Sequence, residues 1–540
     1  MLPHEIFGYL AQKSPEALFG DGLDGVEQFW KKVRVQSAAT SAACEHGRLD
    51  LPLGIHGDKA SSKSGNMKLF VLSFSGVLGR GTTSSSRIVL TVLPMRQAVP
   101  NVTIKEILEV ITWSFQVLYT GCYPDTDHRQ ELFANDKKRM ALAGQPLATV
   151  NDPKDGSVVS LRGVFFDCRG DWEFHEEMYS LQHSYRRATI CHRCRARKED
   201  TAAILFQAPA LVSNEQFLAE ADSPLLAIPN FHVEMLRTCS MHCINLGVGA
   251  HTNGNLLHVL TVRGHFGHAG PEREKRKCAW RRFKAWARRT KSAHSQHCFP
   301  ALRDKSRDFP ELRTKAHNGR VVSAWLQEEV QALLQADGSP EALLAKSAAR
   351  GLAEFYRLMD VHGRFLTEEQ ARDMYTAGKT WPGRLDVRER WLPIDLAMRS
   401  STFCVAYHAA DISLVLPRLV SYHALAALAL EKRRQIWALK PKFHMTMHLL
   451  RTWSPKVPGP CVSGCKLLGL ASAPGPRTMQ THTVSTAEDE RYPRAQVQPQ
   501  VLSYLWRRGP DGAGAQDCAA ALPARIAASL CKLAELSRTI

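Results

Sequence analysis

Leu51-Pro-Leu-Gly-Ile-His-Gly-Asp-Lys-Ala-Ser-Ser62 leads into Lys68-Leu-Phe-Val-Leu-Ser-Phe-Ser-Gly-Val-Leu78 and then Ser86-Arg-Ile-Val-Leu-Thr-Val-Leu-Pro94. Leu51, Leu53 and Ile55 alternate along a short extended run that ends at Gly57-Asp58. Two more apolar, β-branched runs follow, separated by Gly, Ser and Lys, which predicts three adjacent strands joined by turns. Asp58 then stands at the end of the first strand, where a central strand presents a carboxylate to solvent. A carboxylate so placed can hold a divalent cation.

Outward from this core, Thr103-Ile-Lys-Glu106 has the pattern of a capping box. Ile104, Ile107, Leu108, Ile111, Phe115 and Leu118 recur at helical spacing after it, predicting a helix that ends near Gly121 and covers one face of the sheet. Upstream, helix is expected at Glu16 to Phe19 and Val26 to Val33, as an entry segment over residues 1–50. Residues 123–160 read as mostly loop, with some helix around Asp127 to Ala143. Next, Val164-Phe-Phe166 predicts a buried strand ended by Gly170-Asp171. Two strand-end carboxylates, Asp58 and Asp171, are what a hard-cation site needs. Asp167 is read as out of phase with them and is not counted as a ligand. The plain alternative is that both are turn residues, since Gly-Asp turns are common.

Lys plus Arg number 70 against 52 Asp plus Glu among 540 residues, a formal charge of +18. Such an excess favours a polyanionic partner, nucleic acid first, with a basic surface patch as the bland alternative. No apolar run is long enough to predict a membrane span, and the first residues lack the pattern of a signal peptide. Fourteen cysteines in such a chain point to thiols and metal sites rather than disulfides.

Cys191-His-Arg-Cys194 has the spacing of half a zinc site. Candidates to complete it are His183 upstream and Cys239, His242 and Cys243 downstream; spacing does not choose among them. A pair of buried or exposed thiols is the alternative, and His242 reads as a metal ligand, a DNA contact or a hydrogen-bonded core histidine. Asn245-Leu-Gly-Val-Gly249 reads as a glycine-punctuated break. Further on, His444 and His448 share one helical face at i, i+4. That spacing can bind metal, but without the adjacent Glu of a metalloprotease motif it is read as packing or hydrogen bonding.

Residues 272–291 are the densest basic stretch. Trp280, Phe283, Trp286 and Ala287 recur at helical spacing among Arg281, Arg282, Lys284, Arg288 and Arg289. An amphipathic helix with aromatic anchors and a cationic face suits phosphate contact, although a solvated face over a packed stripe has the same pattern. Helices are also expected from Val321 to Leu334, from Pro340 to Gly363, and from Asp411 to Leu439 with a kink at Pro417. Residues 451–540 read as a poorly ordered tail with a terminal helix from about Ala519 to Ser537.

Five ordered motifs together resemble the transposase core of the Plavaka and Kyakuja-Dileera-Zisupton elements. They are LPLGIHGDKAS around Asp58, GDWEF around Asp171, HSYRRATICHRCRA around Cys191 and Cys194, MHCINLGV around His242, and PKFHMTMHL around His444. Each is weak alone; the ordered set spans about residues 50–450. The resemblance implies an α/β fold: an RNase H-like mixed sheet flanked by helices, with its first part at 51–182. It also implies a Cys/His-bearing zinc insertion at 183–270 and a helical region at 271–450. It further implies a nuclear, DNA-binding protein, open to self-association, of the DDE/D class that cleaves and joins DNA strands with Mg²⁺ or Mn²⁺. Asp58 and Asp171 match its first two acids. The chain departs from the pattern in two places. Cys239 stands where relatives tend to carry an acid. Between His448 and Pro476 there is no Asp or Glu at all, although Pro476-Arg-Thr-Met-Gln-Thr-His-Thr-Val484 resembles the segment that follows the third acid; Glu488, Asp489 and Glu490 come too late. Two acids position an ion less well than three, so a non-cleaving protein is expected. The competing expectations are a zinc-stabilised nucleic-acid-binding protein that was never catalytic, and a helical scaffold for protein partners.

Overall fold

Leu51, Leu53 and Ile55 do point into a core, each at most 1% exposed. They lie on β1 (Asp50–Ser61), which pairs antiparallel with β2 (Lys68–Gly76), itself antiparallel to β3 (Ile88–Pro94). The structure, a computed structural model, describes residues 2–36, 49–61, 67–81, 86–199, 210–303, 309–334, 338–361 and 441–452, and individual residues between 422 and 440. The expected helix at 411–439, its kink at Pro417 and the terminal helix fall wholly or largely outside these residues. Backbone contacts divide the chain into two compact units, one reaching from the N-terminus to Arg195 and including Ala210–Cys239, the other including the described residues from Ser240 to Thr452.

The first unit opens with α1 (Pro3–Lys13), α2 (Glu16–Phe19) and α3 (Leu23–Gln36). After β3 come α4 (Thr103–Thr120), α5 (Lys137–Leu142), a small antiparallel pair β4 (Thr149–Asn151) and β5 (Val158–Ser160), and β6 (Arg162–Arg169). Then follow α6 (Trp172–Met178), α7 (Asn214–Glu220) and β7 (Leu236–Arg237). The main sheet is mixed, in the order β3-β2-β1-β6-β7, with β6 parallel to both β1 and β7. Consecutive phenylalanines on β6 show that helices cover both faces. Phe165 meets Phe115 of α4 at 5.3 Å, and Phe166 meets Phe29 of α3 at 5.0 Å.

Two local expectations are corrected. β1 does not end at Gly57-Asp58; its pairing with β2 runs on to Ser61, because the hairpin continues. No capping box forms at α4: Val102 is the N-cap without a side-chain bond, and the Thr103 hydroxyl instead accepts from Val99 N at 2.9 Å. The far end is as expected, with Gly121 left-handed at φ 76° closing the helix.

In the second unit, Asn245–Gly249 is no break. A π-helical turn, Met241–Val248, runs straight into α8 (Gly249–Val262). Its glycines serve close approach instead. A Cβ on Gly254 would come within 2.6 Å of the Glu311 backbone, and one on Gly249 within 2.5 Å of the Tyr356 hydroxyl. Almost every residue of α8 is buried, its polar ones included. Asn255 donates to Pro310 O and accepts from Trp437 N, and Asn253 donates to Gly319 O and accepts from Ser323 Oγ, so buried amides tie the surrounding segments to this helix. Around it lie α9 (Glu272–Arg289), α10 (Ala316–Leu334), α11 (Pro340–Val361) and α12 (Pro441–Thr452). Among the described residues no helix is long and apolar enough to cross a membrane.

Candidate metal centre

The Cys191–Cys194 turn is built as a thiolate knuckle. Arg193 N donates to Cys191 Sγ at 3.3 Å, Arg195 N closes the turn on Cys191 O at 2.9 Å, and Arg195 itself is left-handed at φ 53°. Both cysteines are buried. Burial, reinforced by the neighbouring Cys194, pushes the Cys191 thiol well above its ordinary range. Such a pair ionises only when a cation supplies compensating charge.

His444 and His448 lie one turn apart on α12, at most 3% exposed, with their Nε2 atoms 3.1 Å from each other. Two imidazole nitrogens facing at that distance either share a proton or both offer lone pairs to a cation. Lys442, on the same helix, donates to Leu246 O at 2.9 Å, and Thr446 donates to Lys442 O. These bonds set the rotation of α12.

Cys191, Cys194, His444 and His448 form one buried group, their ligand atoms within 4.8 Å of one another. Two soft thiolates and two imidazoles are the donor set of a closed, tetrahedral structural zinc site, so the residues fit that ion. Among the described residues it is the one group of three or more His, Cys, Asp or Glu side chains so arranged. The sequence-based partners are corrected. His183 bonds to Glu220 Oε2 at 3.1 Å, and neither it nor Cys239, His242 or Cys243 joins the group. The i, i+4 histidines read as packing are its second pair.

The other candidate site lies at the ends of the neighbouring inner strands β1 and β6. Leu53 pairs with Phe165 but Gly54 with Asp167, so Phe166 is the extra residue of a β-bulge. Beyond it Ile55 pairs with Cys168 and His56 with Arg169. The β1–β6 pairing stops there, and Asp58 and Asp171 each lie two residues beyond its last pair. Asp58 Oδ1 accepts from Lys59 N at 2.7 Å, and Asp171 Oδ1 caps α6 by accepting from Phe174 N at 2.7 Å. Lys59 is drawn to α6, 2.7 Å from Glu177 and 3.7 Å from Glu173. Asp167, which the sequence reading did not count as a ligand, lies on β6 opposite Gly54. What removes Asp167 from any solvent-facing site is its ion pair with Arg169 at 2.8 Å, both side chains at most 1% exposed. Gly54 leaves room for that pair, since a Cβ there would overlap the Asp167 carboxylate.

On α9 the five candidate cations divide. Arg282 reaches Glu329 at 2.6 Å, and Arg289 reaches Glu328 at 2.9 Å, the same carboxylate that accepts from Trp286 Nε1. Arg281, Lys284 and Arg288 are exposed and, at i, i+3, i+7, lie on one outward face. Trp280, Phe283 and Trp286 anchor the opposite side, Phe283 fully buried against Trp325 at 5.5 Å.

No family model matches this chain, and no curated protein matches it.

Proposed function

We propose that the first unit is an RNase H-like core and that the protein is a transposon-derived nucleic-acid-binding protein that no longer cleaves DNA. One observation carries the reading: the strand order β3-β2-β1-β6-β7, with β1 antiparallel to β2 and parallel to β6, and with Asp58 and Asp171 each two residues past the last β1–β6 pair. That arrangement supports a pair of carboxylates at the ends of two neighbouring inner strands, the hard-oxygen chemistry suited to Mg²⁺. Between His448 and Pro476, where the resemblance places the third acid, the sequence has no Asp or Glu. Two ligands hold and place an ion poorly, and strand cleavage depends on placement. The excess of 18 positive charges and the outward Arg281, Lys284 and Arg288 supply attraction to a phosphate backbone without cleavage.

The test uses the full chain and Asp58→Asn. Salt-sensitive binding to DNA is expected of both, and Mg²⁺-dependent nicking of supercoiled DNA of neither. Nicking by the parent that is lost in Asp58→Asn would show a live active site and sink the non-cleaving half. Absence of DNA binding at low salt would sink the whole reading.

A further inference from the structure

Within the second unit a cavity of about 530 Å³ opens between the segment after α9 and the start of α10. Its walls include His297, Cys298, Arg313, Thr314 and Lys315. Among the described lining residues there is no carboxylate. Arg313, Lys315 and His297 are all exposed, and the Ser295 and Thr314 hydroxyls add neutral donors.

The frame is rigid. Asn318, 2% exposed, accepts from Ser295 N at 3.0 Å and donates to Gln296 Oε1 at 3.2 Å. His317 bonds Ala293 O at 2.9 Å, and Leu312 N donates to Ala250 O at 3.0 Å. Phe299 sits 5.4 Å from Trp280 and 5.5 Å from Phe283, which seats the wall segment on the aromatic side of α9. The wall backbone is therefore held in place before any ligand arrives, which lowers the ordering cost of binding.

We infer that this cavity is a binding site for a nucleotide phosphate, with Arg313 and Lys315 as its charged contacts and Thr314 as a neutral donor. A planar guanidinium and an ammonium flanking hydroxyl donors suit tetrahedral phosphate oxygens. The volume falls in the range of small-molecule pockets, large enough for a sugar and base besides the phosphate. The identity of the ligand rests on the nucleic-acid reading above; the preference for an anion does not.

Cys298 makes the inference measurable, because its exposed thiol is part of the wall. Iodoacetamide, being neutral, reports occupancy rather than screening. Alkylation of Cys298 in the full chain would be followed by peptide mass spectrometry with inorganic phosphate, with dTMP and with a short single-stranded oligodeoxynucleotide, chloride matching the ionic strength. Saturable protection is expected from phosphate, at lower concentration from dTMP or the oligonucleotide. Arg313→Gln/Lys315→Gln should raise the half-protecting concentration about tenfold or more at an unchanged melting temperature. Should the double variant fold poorly, Lys315→Gln alone carries the same expectation at reduced size. No protection by any of the three, or protection unaltered in the variants, overturns the site. Phosphate protection without oligonucleotide binding by the parent would sink the nucleic-acid reading and leave a nucleotide site standing.

Discussion

The ring of Phe174 fills the space that a Cβ on Gly57 would need, and the same ring does so at Gly170. The two Gly-Asp steps are thus packed under one side chain, which brings the residues that follow them, Asp58 and Asp171, to one end of the sheet. Gly57→Ala should destabilise the first unit by about 1–3 kcal/mol through overpacking, and Phe174→Ala by about 3–5 kcal/mol through the cavity it leaves. Because the two changes act on the same space, the double variant should be less destabilised than their sum. Urea unfolding of the four proteins checks this; strict additivity would mean that Phe174 does not pack there.

Acid should weaken the first unit in a defined window. His4, bonded to Ser114 Oγ at 2.8 Å, and His175, whose Nε2 contacts Arg237 O, are both buried. Burial lowers their pKa to about 3 and about 4, from an ordinary 6.5. Between 6.5 and those values the unfolded chain binds protons that the folded one refuses. Stability is therefore full above pH 6.5 and falls as pH drops through the window, about 2 kcal/mol per histidine by pH 5. His4→Gln should remove one proton's share of the slope in urea melts taken from pH 7 to pH 5. An unchanged slope would refute the assignment to His4.

The protein as purified should carry a single equivalent of zinc, measured by elemental analysis. Cys191→Ser and His448→Ala should each lose it. Chelation should lower the stability of the parent by more than about 2 kcal/mol and leave the variants unmoved, since a ligand that binds only the folded chain stabilises it by mass action. Zinc retained by Cys191→Ser would exclude that thiol as a ligand.

The strands were legible because alternation at Leu51, Leu53 and Ile55 and the solid run Val164–Phe166 are local signals of burial. The bulge at Phe166 was not, and it decides which residue of β1 stands opposite Asp167. The helix from Met241 to Val262 was misread because Gly247, Gly249 and Gly254 look like punctuation until the segments packed against them are known. The metal group was half legible. A Cys-x-x-Cys step and an i, i+4 histidine pair each announce two ligands, but sequence spacing carries no information about pairing across some 250 residues, and nearer thiols were the natural choice. On α9 the pattern gave the aromatic anchors correctly and could not tell an arginine facing Glu329 from one facing solvent.

That division of α9 separates two kinds of arginine experimentally. Arg281, Lys284 and Arg288 share the outward face, so Arg281→Gln/Lys284→Gln/Arg288→Gln should leave the melting temperature alone. The same variant should weaken oligonucleotide binding and reduce the slope of log K against log salt by about 2 on a single strand. Arg282→Gln should do the reverse. Glu329 is 11% exposed and accepts from Arg282, His265 and Trp325, so losing the guanidinium costs about 1 kcal/mol of stability with little change in the salt slope. Binding isotherms across a salt series, read beside thermal melts of the same proteins, distinguish the two. If Arg282→Gln lowered the salt slope as much as the triple variant, the nucleic acid would have to lie along the α10-facing side of the helix instead.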